Sequence, residues 1–120
     1  ADLNQEVWVE VHGSGTSHPP HMATIMEHCG LPSVGITWNS NTTDIKEGSV
    51  APYFELLRPW IKSCHINELH SNYPWRELFT CLNQAGYDRY TLAEIPGMPD
   101  AATGERLLRY YKALWLELTR

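Results

Sequence analysis

Residues 34–41 read V-G-I-T-W-N-S-N. The first five have strand character, with β-branched and aromatic residues in an apolar run. The run stops at Asn39, Ser40 and Asn41, residues that favour turns, and continues into Thr42, Thr43 and Asp44. Three other short runs have the same character: residues 7–11 (VWVEV), 61–66 (IKSCHI) and 90–95 (YTLAEI). Helical patterns fall between and after them. Pro19 and Pro20 open one through Met22, Ile25 and Met26, which Gly30 ends. Ser49 is placed to cap a second, with Val50, Phe54 and Leu57 at helical spacing and Pro59 marking its end. Pro74 opens a third, carrying Trp75, Leu78, Phe79 and Leu82 on one face and closed by Ala85 and Gly86. The last is amphipathic, with Leu107, Leu108, Tyr111, Leu114, Trp115 and Leu118 set against Arg106, Arg109, Lys112 and Glu117. Strands alternating with helices predict an α/β fold: four βα units on a parallel sheet with right-handed crossovers.

The composition bounds what such a chain does. Its 120 residues make one domain, long enough to bury roughly two-thirds of the surface the unfolded chain exposes. With 42% apolar residues, five Trp and six Tyr, it is expected to fold. The net charge is -5, and nine Lys plus Arg are scattered singly, so no basic stripe exists to neutralise a phosphate backbone and nucleic acid is not an expected partner. No apolar segment reaches the length of a membrane span. Three cysteines without CxxC spacing indicate neither a disulfide framework nor a zinc ribbon, and reduced thiols fit a cytoplasmic protein.

In parallel sheets, ligands bind at the carboxyl ends of the strands. Glu10, Asn39, His65 and Glu94 stand at those ends, separated by 29, 26 and 29 residues, about one βα unit each. Each strand thus delivers one polar, ligand-type side chain to the same end of the sheet. Glu10 and Glu94 interrupt apolar strands, where an unpartnered carboxylate is costly. His12 follows Glu10 by two residues and shares its side if the strand continues. Glu68 is either the acceptor that orients the His65 ring or a loop group facing substrate. Trp38 and Trp75 are either platforms for a ligand ring or, more often at such positions, core packing. Asp44 is an alternative carboxylate to Asn39. Read alone, His65 is better explained as a hydrogen-bonded core histidine; its alignment with three other strand ends points to ligation.

The segments VEVHG, TWNSN, CHINELH, YPWRELFTCLNQAGYD and LAEIPG together resemble the C-terminal half of the xylose-isomerase-like TIM barrels, the superfamily of sugar phosphate isomerases and epimerases that also holds the endonuclease IV branch of AP endonucleases. The resemblance covers nearly the whole chain. It implies that residues 1–120 form half of a (β/α)8 barrel, whose missing N-terminal half or a homodimer partner completes it. It implies that Glu10, Asn39, His65 and Glu94 hold a divalent metal, with Glu10 and Glu94 doubling as catalytic acid/base groups. It also implies that His12, Glu68 and Trp38 face a small sugar or sugar phosphate. The expected activity is metal-assisted proton transfer beside a sugar carbonyl. Where the family has an acid on its sixth strand this chain has Asn39, an oxygen ligand without the negative charge. The endonuclease branch needs more His and Asp at strand ends and a basic face, which the sequence lacks. The alternative is a non-catalytic half-barrel that binds a sugar-like ligand or serves as an oligomerisation module.

Overall fold

The computed structural model describes residues 3–120. Four strands and four helices alternate: β1 (Val7–Glu10), α1 (Pro19–Cys29), β2 (Val34–Trp38), α2 (Ala51–Leu57), β3 (Ile61–Ile66), α3 (Trp75–Gln84), β4 (Thr91–Ala93) and α4 (Ala101–Leu118). The strands pair in parallel, in the order β1-β2-β3-β4. Each helix packs on the next, α1 on α2, α2 on α3 and α3 on α4, so the helices form one layer over one face of the sheet. The core lies between the layers. Ile36, Trp38, Cys64 and Ile66 from the strands meet Met22, Met26, Phe54, Leu57, Leu78 and Leu82 from the helices, all of them buried.

Local chemistry accounts for most boundaries. Gly30 ends α1 in the left-handed conformation, φ 59°, its N–H donating to Met26 O. Asp100 caps α4, accepting from Thr103 N at 2.8 Å. The cap of α2 departs from expectation. Ser49 Oγ accepts from Ala51 N, but Val50 N and the Ser49 hydroxyl both donate to the Glu77 carboxylate, at 2.9 and 2.6 Å. A side chain from α3 thus completes the start of α2. Strand β4 is shorter than its sequence run, since only Thr91–Ala93 pair fully, although Glu94 N still donates to Ile66 O. Strand β1 ends at Glu10, one residue earlier than its run, with Val11 N still donating to Thr37 O. A 3-10 turn, Thr42–Asp44, follows β2, and another, Arg58–Trp60, follows α2.

One irregularity sets which residues share a face. Ile36 pairs with Ile61, but Thr37 pairs with Ser63, so Lys62 is an extra residue, a bulge in β3. Side chains alternate along a strand, so one inserted residue reverses which face every later side chain occupies. Without the bulge, Cys64 would lie level with Asn39 and His65 would turn to the helices. With it, Cys64 enters the core and Ser63 and His65 join Thr37 and Asn39 on the other face. Gly35 makes room for this: a Cβ there would stand 2.1 Å from Lys62 Cγ and 2.8 Å from Trp60 O.

Among the described residues, nothing covers the face opposite the helices. Trp8 and Leu92 stand on it 45% and 43% exposed, and β1 and β4 are free edges. At its amino-terminal end, Glu6 takes a two-pronged contact from Arg89, at 2.7 and 3.0 Å, with Lys62 at 3.5 Å and Trp8 Nε1 donating at 3.0 Å. The Arg89 hydrogen bonds, aided by Trp8, pull the Glu6 carboxyl down to about 2. This contact joins the approaches to the two edge strands across the open face.

Gly35→Ala is expected to cost about 1–3 kcal/mol in chemical denaturation and to perturb the His65 NMR signals, because the carbonyl of Trp60 cannot swing aside as the Lys62 side chain can. Unchanged stability and an unchanged His65 environment would show that the bulge does not depend on the glycine.

Candidate metal centre

Glu10 ends β1, Asn39 follows β2, His65 is the fifth residue of β3 and Glu94 follows β4. Glu10 is level with Thr37, Asn39 with His65, and Glu94 lies two residues beyond Leu92, the partner of His65. The four positions therefore climb across the sheet, the two glutamates at the extremes and the two shorter side chains between them. Long side chains close the stagger. His65 Nδ1 lies 3.2 Å from Glu10 Oε1 and 3.5 Å from Glu94 Oε2. It is 3.3 Å from the nearer amide atom of Asn39.

Asn39, only 2% exposed, sits at the centre. Its neighbours are best satisfied with the amide nitrogen inward, 2.9 Å from Glu94 Oε2 and 3.2 Å from Glu10 Oε1, and the oxygen accepting from His12 Nδ1 at 2.9 Å. Two carboxylates this close need a donor or a cation between them, and in this arrangement the amide supplies the donor.

Loop contacts hold the cluster. Ser40 turns the chain in the left-handed region, φ 54°, and donates its hydroxyl to His65 O at 2.8 Å. Asn67 Nδ2 lies 3.2 Å from Asn39 O and 3.3 Å from Ser40 O. Asn41 Nδ2 donates to Val11 O at 2.5 Å, tying the loop after β2 to the end of β1. The Tyr111 hydroxyl of α4 is shared between Ile66 O and Asn67 O, at 2.7 and 2.8 Å. Beneath the loop, Asp44 is fully buried and accepts from Asn41 N at 2.6 Å and from the Tyr73 hydroxyl at 3.2 Å. Tyr73 in turn accepts from Trp38 Nε1 at 3.1 Å.

Of the residues singled out from the sequence, Glu10, Asn39, His65 and Glu94 come together, and His12 joins them through Asn39. Strand β1 ends before His12, which still lies within reach. Trp38 does not join. It is fully buried on the helix side, its ring 5.6 Å from that of Phe54, because adjacent residues of a strand face opposite ways and Asn39 takes the open side. A sugar platform there is ruled out. Glu68 does not orient His65; its carboxylate pairs with His70 at 3.2 Å. Asp44 is not an alternative ligand, since it is committed to the turn below. In the sequence Ser40 reads only as a turn former and Tyr111 only as part of an apolar helix face, and Asn67 carries no signal, so none of the three points to the site.

The donor set fits a divalent ion. Glu10, His65 and Glu94 offer one ligand atom each, all within 4.8 Å of one another. Two donors about 2.1 Å from a common ion stand about 3.0 Å apart when adjacent in an octahedron and about 3.4 Å apart in a tetrahedron. The contacts of 3.2 and 3.5 Å from His65 Nδ1 fall near those spacings. Glu10 is 40% and Glu94 51% exposed in its side chain, so the cluster opens to solvent on one side. No family model matches the chain, and no curated protein matches it. No helix among the described residues is long and apolar enough to cross a membrane. Cys29, Cys64 and Cys81 are free thiols, Cys64 and Cys81 buried in the core.

Burial pushes Asp44 up to about 7 from 3.8. Folded protein then keeps a proton that the unfolded chain releases near pH 4. The stability this group contributes is complete below about pH 4, is lost as pH rises towards 7, and changes no further above it. Asp44→Asn removes that loss. Its stability relative to the parent protein is expected to rise by about 1.4 kcal/mol per pH unit between pH 5 and 7 and to level off by pH 8, read by thermal unfolding. A difference independent of pH would contradict the assignment.

Proposed function

We propose that this chain carries the metal-binding half of a divalent-metal-dependent isomerase or epimerase acting on a sugar or sugar phosphate. The observation that carries the proposal is the convergence of Glu10, His65 and Glu94 from three different strands, with Asn39 between them. Glu10, His65 and Glu94 would hold the ion, His65 through Nδ1, and Asn39 would add an amide oxygen after turning over. Bound there, Mn²⁺, Mg²⁺, Co²⁺ or Zn²⁺ supplies Lewis acidity towards a sugar carbonyl and hydroxyl. Glu10 and Glu94 flank the position from opposite edges of the sheet. A carboxylate oxygen left free on either side is placed to take a proton from a carbon next to the carbonyl or return it. His12 is the residue placed to contact a substrate oxygen.

The architecture we propose is half of a (β/α)8 barrel. A parallel sheet is ordinarily covered on both faces, and here one face carries exposed Trp8 and Leu92 between two free edges. A second four-stranded half, on the same polypeptide or on a second copy, would pair both edges and enclose that face. The free thiols fit the cytoplasm. A non-catalytic sugar-binding or assembly role is the second reading, and Asn39 favours it, because with its nitrogen turned inward the amide satisfies both carboxylates without an ion.

Metal content separates the two. Protein purified with Mn²⁺, Co²⁺ or Zn²⁺ present is expected to retain close to one ion per chain, and Glu94→Gln to lose at least tenfold in affinity by calorimetry. Asn39→Asp, which restores a negative charge, is expected to bind the ion more tightly. Protein that retains no ion, with Glu94→Gln changing neither uptake nor stability, defeats the metalloenzyme reading. Sedimentation tests the barrel: dimers or larger species are expected from the 120 residues alone, and a compact monomer argues against it.

A further inference from the structure

We propose that His12 senses whether the ion is bound, by trading hydrogen-bond roles with Asn39, and presents a donor to a ligand oxygen only when the ion is in place. The inference deepens the metal-site reading and rests on it.

The Asn39 amide has two atom positions and very little freedom besides. The inner position is 2.9 Å from Glu94 Oε2, 3.2 Å from Glu10 Oε1 and 3.3 Å from His65 Nδ1. The outer position is 2.9 Å from His12 Nδ1. With no cation present, an inner oxygen would face two carboxylate oxygens at repulsive distance. The nitrogen therefore turns inward, and the outer oxygen accepts a hydrogen bond from His12, whose proton sits on Nδ1. A divalent ion among Glu10, His65 and Glu94 reverses this. The inner atom must then offer a lone pair, so the oxygen turns in and the nitrogen turns out towards His12. His12 Nδ1 must now accept, and its proton must sit on Nε2.

The ring keeps its charge throughout: one proton leaves Nδ1 for water and one is taken from water at Nε2. His12 is exposed, so solvent reaches it. Among the described residues none hydrogen-bonds to Nε2, and the ring's hydrogen bond is at Nδ1. Nε2 is consequently an acceptor without the ion and an N–H donor with it. A ligand carbonyl oxygen, which can only accept, would meet a donor at Nε2 only at a loaded site, whereas a hydroxyl can pair with either tautomer. His12 acts here as a positioning residue towards the ion and as a contact towards the ligand.

The tautomer of His12 is read directly from two-bond ¹H–¹⁵N correlations of histidine-labelled protein at pH 8, where an ordinary histidine is neutral, before and after addition of Zn²⁺ alone. The expected result is a proton on Nδ1 without Zn²⁺ and on Nε2 with it, accompanied by a shift of the His65 ring signals. In Asn39→Asp there is no amide to turn, so His12 is expected to keep its proton on Nδ1, facing the carboxylate, in both states. If the His65 signals respond to Zn²⁺ while His12 keeps one tautomer in the parent protein, the coupling is overturned and the metal site survives. A His65 ring that does not respond overturns the metal site, and the coupling with it. A switch that persists in Asn39→Asp shows that His12 follows the ion without Asn39, which also overturns the proposal.

Discussion

The extra residue at Lys62 is the constraint on which the site depends. A strand offers alternate side chains to alternate faces, so a residue's chemistry is available at a site only if its parity is right. Strand β3 runs Ile-Lys-Ser-Cys-His-Ile, and in plain register with β2 it would turn Cys64 to the open face and bury His65 under α2 and α3. The bulge corrects the parity, and Gly35, by lacking a side chain, leaves the space that the bulged Lys62 occupies. A buried thiol and an accessible imidazole both follow from it. The thiol is fully buried, and burial raises its pKa well above the ordinary thiol range.

Parity brings the groups to one face, and the climb across the sheet then decides which side chains can meet. Asn39 and His65 are level and short. Glu10 and Glu94 come from below and above with longer reach. The two carboxylates need something positive or hydrogen-donating between them, and the Asn39 amide stands there, able to turn its nitrogen towards them or, in the proposed metal-bound state, its oxygen towards an ion. The loops are correspondingly stiff. Hydrogen bonds from Ser40, Asn41, Asn67 and Tyr111 join the ends of β1, β2 and β3 and hold the clustered side chains in place.

Much of this was legible in the sequence. The four strand runs and four helical patterns gave the element order, because each uses a single period bounded by Pro, Gly or Asn. The strand-end positions of Glu10, Asn39, His65 and Glu94 gave the cluster. Trp38 could have been excluded at the same stage, since it adjoins Asn39 and cannot share its face. The bulge was not legible, because nothing in IKSCHI marks one residue as unpaired. Neither was the Glu77 cap on α2, which comes from another helix. Of the two readings of Glu68, orientation of His65 does not hold: a loop carries no fixed period, and the Glu68 carboxylate pairs with His70, in a turn where Ser71 N–H donates to Glu68 O. Asp44 reads as a carboxylate able to swing in beside Asn39, yet it is buried below the loop, where it accepts from Asn41 N and the Tyr73 hydroxyl.

The central claim is that four strand ends build one ion site on the open face of the sheet. Anomalous X-ray diffraction from crystals grown with Mn²⁺ or Zn²⁺ tests it most directly. The account predicts a single strong peak within about 2.3 Å of Glu10, His65 and Glu94 oxygen or nitrogen atoms, with the Asn39 oxygen turned towards it. Crystals that show no peak there, with the Asn39 nitrogen still between the two carboxylates, would contradict it.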